Sequence, residues 1–128
     1  MLVLEKGTEA PGGLGEGYAR RLGIKSTGYT YFVAVDGIEW IQSAGSYVQL
    51  HTASQRHLMR ISMKALAEKL DPGQFLRIHR STLVNVAHIS ELRPYSRGDC
   101  LVILKDETQL KLTRRRRHLV ESLIRQTS

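Results

Sequence analysis

A single cysteine, Cys100, stands among the 128 residues. No disulfide can close within the chain, and a reducing cytoplasm is the expected compartment. Aromatic residues make up only 6% of the sequence, with no paired aromatic motif for stacking unpaired bases. No apolar run approaches the roughly 20 residues needed to span a bilayer, so no membrane segment is expected. The N-terminus lacks the charged-then-apolar layout of a signal peptide. No glycine pattern resembles a nucleotide-binding loop. The five histidines, at positions 51, 57, 79, 88 and 118, have no close ligand spacing, so no metal site is expected. His79 and Ser81 alternate on an extended stretch, but no carboxylate is set by sequence to orient a base, which argues against a hydrolase triad. Neither an enzyme nor a cofactor is expected.

Basic side chains, by contrast, are abundant. Lys and Arg number 19 against 12 Asp and Glu, for a net charge of +7 and a pI near 9.9. The hydrophobic share of 41% and charged share of 24% are those of an ordinary globular domain, and a chain of this length buries enough surface to fold without staples. A basic balance makes a polyanion the first partner to consider, because each neutralised phosphate releases condensed counterions. Distribution sharpens the point. Residues 1–28 hold four basic and three acidic side chains, which leaves 15 against 9, and five of those 15 fall between Lys111 and Arg117.

Residues 1–19 read as a linker, with Pro11 and four glycines between Gly12 and Gly17. Residues 20–128 form the domain. Period-two patterning predicts strands over Leu22–Ser26, Tyr29–Val35, Ile38–Ser43, Tyr47–Thr52 and Leu58–Ile61. Phe75–Ile78, Leu83–Val86, Ile89–Arg93, Leu101–Leu104 and Gln109–Leu112 follow. Thr27-Gly28 is a turn, Asp36-Gly37 a hairpin signal and Ala44-Gly45 a break. Ser62 caps a helix whose stripe is Met63, Leu66, Ala67 and Leu70, and Asp71-Pro72-Gly73 ends it. A last helix runs from about Arg114 to Arg125, with Leu119, Val120, Leu123 and Ile124 as its apolar stripe. The fold class is mostly β with two short helices.

Two places carry chemistry. Arg114 to Arg117 crowd the start of the last helix, where the helix dipole favours acidic side chains. Each exposed arginine there costs roughly 0.3–1 kcal/mol, and local rules tend to be broken at functional sites. Guanidinium forks and free N–H groups at a helix start suit phosphate oxygens; the bland alternative is a solvated basic face. The second place is His79-Arg80-Ser81, a polar group between two apolar stretches. Arginine can bond the major-groove edge of guanine bidentately, and Ser or Thr can reach phosphate. Here the alternative is a polar turn in which His79 and Asn85 bond the backbone. Trp40 and Phe75 are expected in the core, and Cys100 is expected to be structural.

The segments Ile38-Glu39-Trp40-Ile41, Ala44-Gly45-Ser46-Tyr47-Val48, Ser62-Met63-Lys64-Ala65-Leu66, Ile78-His79-Arg80-Ser81 with Val84-Asn85, and Leu112-Thr113-Arg114 occur in an order that resembles the LytTR family of bacterial DNA-binding domains. The resemblance covers about residues 22–126. It implies small antiparallel sheets in an elongated arrangement, and DNA read by loops in successive major grooves rather than by a recognition helix. Two copies would share a promoter direct repeat. A receiver or sensor domain would lie outside this chain, as in the effector part of a response regulator. Residue by residue, the resemblance implies base contacts by Ser46, Tyr47, Arg80 and Arg114. Phosphate contacts would come from Lys64, His79, Ser81, Arg115 and Arg116. Ser46 stands where the family often has Asn, and Thr113 where Ser is common. The competing readings are a basic RNA-binding module and a domain that binds an anion or acidic peptide.

Overall fold

The computed structural model describes residues 17–127, without the side chains of Val120, Leu123, Gln126 and Thr127. Most of the expected linker, and the Val120 and Leu123 part of the expected helix stripe, therefore lie outside the described residues. Among the described residues are ten strands, two α-helices and four 3₁₀ turns. β1 (Arg21–Ser26) and β2 (Tyr29–Ala34) form a two-stranded sheet. β3 (Ile38–Ala44), β4 (Tyr47–Thr52), β5 (Arg56–Met59), β6 (Phe75–His79) and β7 (Thr82–Asn85) form a five-stranded sheet in the order β5-β4-β3-β7-β6. β8 (Ile89–Pro94), β9 (Cys100–Leu104) and β10 (Gln109–Leu112) form a third sheet, ordered β10-β9-β8. Every pairing is antiparallel. α1 spans Met63–Lys69 and α2 spans Arg117–Thr127.

Two of the expected turns exchange roles. Asp36-Gly37 does not close a hairpin; Val35–Gly37 is a 3₁₀ turn that carries the chain from the two-stranded sheet into the five-stranded one. A two-residue type I′ turn needs positive φ at both central residues, and neither Asp36 nor Gly37 has it. Asp36 instead accepts a hydrogen bond from the Gln74 amide at 2.8 Å. The expected break at Ala44-Gly45 is the hairpin: Ala44 pairs with Tyr47 around Gly45-Ser46, with Gly45 at φ +66°. Thr27-Gly28 turns between β1 and β2 as expected.

The five-stranded sheet is covered on both faces, and alternation along its strands sorts the side chains. Ile41, Phe75 and Leu83 join Leu22, Ile24, Val33 and the α1 residues Met63 and Leu66 in one core. Leu76, Ile78 and Val84 join Cys100, Val102, Leu104 and Leu112 of the three-stranded sheet in a second core. Trp40 packs half-buried against that second core and stacks on His51 at 4.0 Å between ring centroids. Phe75 is buried, as expected. Asn85 is buried too, and it ties the cores together: its amide donates to the Ile38 carbonyl at 2.9 Å and accepts from the Ala87 N–H at 3.0 Å. That is the backbone-bonding role expected for it.

α1 forms as its sequence predicts. The Ser62 hydroxyl accepts from the Ala65 N–H at 3.1 Å, which satisfies one of the free donors of the first turn. The Asp71 carboxylate accepts from the Gly73 N–H at 2.8 Å and closes the turn that follows. On α2, Leu119 packs against the second core, but Ile124 is 43% exposed, so the expected buried stripe does not extend to it.

Candidate nucleic-acid interface

Strand register brings Ser46, Tyr47, His79, Arg80 and Ser81 to one end of the five-stranded sheet. β3 pairs with β7 through Gln42 and Thr82, and the Ser43 N–H donates to the Ser81 carbonyl at 2.9 Å. The Gly45-Ser46 turn and the Arg80-Ser81 turn thus emerge side by side from adjacent central strands. Met59 of β5 pairs with Val48, so Arg60 leaves at the same end, with its guanidinium 5.8 Å from the centre of the Tyr47 ring. α1 starts three residues later, with Lys64 exposed in its first turn. Across a groove of about 380 Å³ from His79, Ser81 and Thr82 lie Lys111 and Thr113, next to the arginine run.

The Arg80-Ser81 turn is built by side-chain bonds. His79 Nδ1 accepts from the Ser81 N–H at 3.1 Å and lies 2.8 Å from the Ser81 hydroxyl. An accepting Nδ1 places the ring proton on Nε2, so the exposed His79 keeps an outward donor. Arg77 Nη2 donates to the Arg80 carbonyl at 2.6 Å, which leaves the Arg80 side chain exposed at the turn. Ser46 and Tyr47 are exposed as well.

The arginine run divides. Thr113 occupies the N-cap position without a side-chain capping bond, and Arg114–Arg116 form a 3₁₀ turn before α2. Asp99 supplies the cap from outside: its Oδ1 accepts from the Arg114 N–H at 3.0 Å, and its Oδ2 lies 3.6 Å from Lys111 Nζ. One N–H expected to be free for phosphate is therefore already bonded to a carboxylate. The aliphatic part of Arg114 lies over Gly98, where a Cβ would meet Arg114 Cδ at 2.7 Å. Arg114 and Arg115 are exposed. Arg116 is half-buried and donates to the Arg77 carbonyl at 3.2 Å. Arg117 pairs with Glu121 at 2.9 Å, one turn along α2.

Sequence reasoning missed Arg60, Arg77, Asp99 and Lys111. Arg77 left a trace as a charge inside the apolar run Phe75-Leu76-Arg77-Ile78, and Lys111 as the first member of the basic cluster that ends at Arg117. The other ionisable groups lie elsewhere. Burial, helped by Arg56 and opposed by Asp106, pulls His51 below the usual histidine range. Burial pushes the Cys100 thiol up, which makes it a poor nucleophile. His57 bonds the Tyr31 hydroxyl at 2.8 Å. Among the described residues no helix is long and apolar enough to cross a membrane.

These features define a small antiparallel β domain that presents turns and one helix start at a basic end. Residues 28–125 match the LytTr DNA-binding domain family, and the chain belongs to it. It is a DNA-binding domain of the kind found in transcription regulators. The family is one of DNA-binding domains rather than enzymes.

Among its relatives is the CO-responsive transcriptional regulator RcoM of Rhodospirillum rubrum, 34% identical over 68% of this chain and 37% of that protein. An uncharacterized response regulatory protein of Vibrio cholerae is 32% identical over 70% of this chain and 35% of that one. The chain thus spans little more than a third of the length of these curated relatives. The LytTr DNA-binding domain of a response regulator from Bacillus cereus superposes with a TM-score of 0.72, covering 82% of this chain and 96% of that domain, at 17% identity. At that identity the superposition speaks for the fold alone.

Proposed function

We propose that this domain reads duplex DNA by sequence, as the cytoplasmic effector part of a bacterial transcription regulator. Ser46, Tyr47, Arg80 and Arg114 contact bases from loops in successive major grooves. Lys64, His79, Ser81 and Arg115 contact phosphate, and Arg116 adds its charge nearby. Two copies occupy a promoter direct repeat. A receiver or sensor domain belongs to the same regulator outside this chain; the short coverage of the relatives, one of them a response regulatory protein, supports that view.

The observation that carries the reading is the common end of the five-stranded sheet, where the Gly45-Ser46 and Arg80-Ser81 turns stand on adjacent strands. Exposed arginines at a turn and at a helix start offer base-edge forks, while their neighbours offer phosphate donors. Selection of bound sequences from a random duplex library tests it. Enrichment of one motif repeated in the same orientation is expected, and recovery of unenriched sequence would sink the proposal.

One observation bears on the RNA-binding alternative. Tyr29 and Phe32 are 63% and 54% exposed on the two-stranded sheet, as base stacking would need. The Arg21 guanidinium, however, covers the Phe32 ring at 4.3 Å from its centroid. Single-stranded RNA should therefore compete poorly with the selected duplex over a range of salt, and equal competition would favour the RNA reading.

A further inference from the structure

Arg77 lies outside the surface proposed to touch DNA, yet its bonds converge on it. It sits in β6, an edge strand of the five-stranded sheet, between the buried Leu76 and Ile78. Its Nη2 reaches the Arg80 carbonyl at 2.6 Å, bridging a register irregularity between Arg77 and His79. A charged donor on a carbonyl is among the stronger hydrogen bonds. The Arg77 carbonyl in turn receives Arg116 Nη1 at 3.2 Å. One residue therefore joins the turn that carries Arg80 to the helix start that carries Arg114. Arg77 Nε is buried, with no hydrogen-bond partner within the protein.

We infer that the Arg77 side chain is a positioning group for sequence readout: it fixes the Arg80 turn without touching DNA itself. The inference rests on the base-reading role proposed for Arg80. A bidentate arginine–guanine contact is strongly directional, so a turn free to shift loses discrimination before it loses attraction to phosphate. Charge alone would act differently, through the salt dependence of all binding.

The test compares wild type, Arg77→Met, Arg77→Lys, Arg80→Ala and the Arg77→Met/Arg80→Ala double variant. Each is titrated with the duplex recovered by selection and with a random-sequence duplex of equal length, at several salt concentrations. Methionine keeps the apolar length and removes the unpartnered Nε along with the bond, and lysine retains a donor able to approach the Arg80 carbonyl. Arg77→Met should lower the ratio of selected to random affinity by about tenfold, within the range one bidentate contact supplies. Its affinity for random duplex should change much less. Lysine should restore part of the ratio. In the Arg80→Ala background, Arg77→Met should change the ratio no further, because the reader it positions is gone.

A general fold defect would lower both affinities together, and an independent DNA contact would give additive losses; either result overturns the inference. If Arg80→Ala loses discrimination and Arg77→Met retains it, the positioning role fails while the DNA reading stands. A wild type that shows no preference for the selected duplex overturns both.

Discussion

At the scale of single residues, the surface separates exposed arginines from arginines bonded within the protein. Arg80 and Arg115 are exposed, whereas Arg77, Arg116 and Arg117 have bonds within the protein. Arg80→Ala is expected to cost about 1–3 kcal/mol on the selected duplex and little on random DNA. Arg115→Ala should weaken all duplexes alike and flatten the log–log salt slope by about 0.9. Titrations across salt measure both, and an exchange of the two patterns would show the roles reversed. His51 gives a separate prediction. Its folded-state pKa lies below the ordinary value of about 6.5 because burial and Arg56 disfavour its charged form. The unfolded state then binds more protons, so this contribution is present above about pH 6.5 and is lost as pH falls toward the lowered value. Phenylalanine keeps a ring to stack on Trp40 and does not titrate. His51→Phe should therefore melt with a smaller drop between pH 7 and 5.5 than wild type. An equal drop would remove His51 from the account.

The elements show how much of this was legible in advance. Periodicity points to an element at each helix and strand of the described residues. β5, however, is Arg56–Met59 rather than Leu58–Ile61, and the α-helix at the end begins at Arg117, after a 3₁₀ turn, rather than at Arg114. The hairpins were harder to place. Asp36-Gly37 carries the stronger turn signal and Ala44-Gly45 the weaker one, yet the chain turns back on itself only at the second. Local propensity does not say which sheet the next strand joins; shared burial does. The same limit applies at the site. Arg80 and Arg114 could be singled out by residue type and order, but Arg77 and Asp99 act through backbone groups in other elements. Asp99 makes the point testable. Asp99→Ala removes the cap from the Arg114 N–H and should cost about 0.5–2 kcal/mol. Asp99→Asn keeps an accepting oxygen and should melt closer to wild type. Both remove a negative charge beside the arginine run and should tighten binding to random duplex. An asparagine variant as unstable as the alanine one would show that the charge, not the cap, holds the helix start.

For the whole molecule, the central question is whether two cores make two folding units. The first core joins β1, β2 and α1 to one face of the five-stranded sheet, and the second joins the three-stranded sheet to the other. β3, β6 and β7 contribute to both, by alternate residues of the same strands. Losing either cover would expose one face of strands whose opposite face is still packed, and would strand the Asn85 bonds that link Ile38 to the turn after β7. Separate melting therefore leaves the shared strands with half their burial, an unfavourable intermediate. The site depends on this arrangement, since its turns belong to the shared sheet and its helix start follows β10 of the second core. Leu66 and Leu104 are almost wholly buried, one in each core. Leu66→Ala and Leu104→Ala should each cost about 2–5 kcal/mol. Each should shift a single unfolding transition, seen at the same midpoint by the Trp40 signal and by far-ultraviolet circular dichroism. Trp40 packs against the second core, so independent cores would make its signal follow Leu104→Ala and ignore Leu66→Ala. If its midpoint falls in both variants, the sheet between the cores transmits the loss, and loosening either cover also loosens the turns proposed to meet DNA.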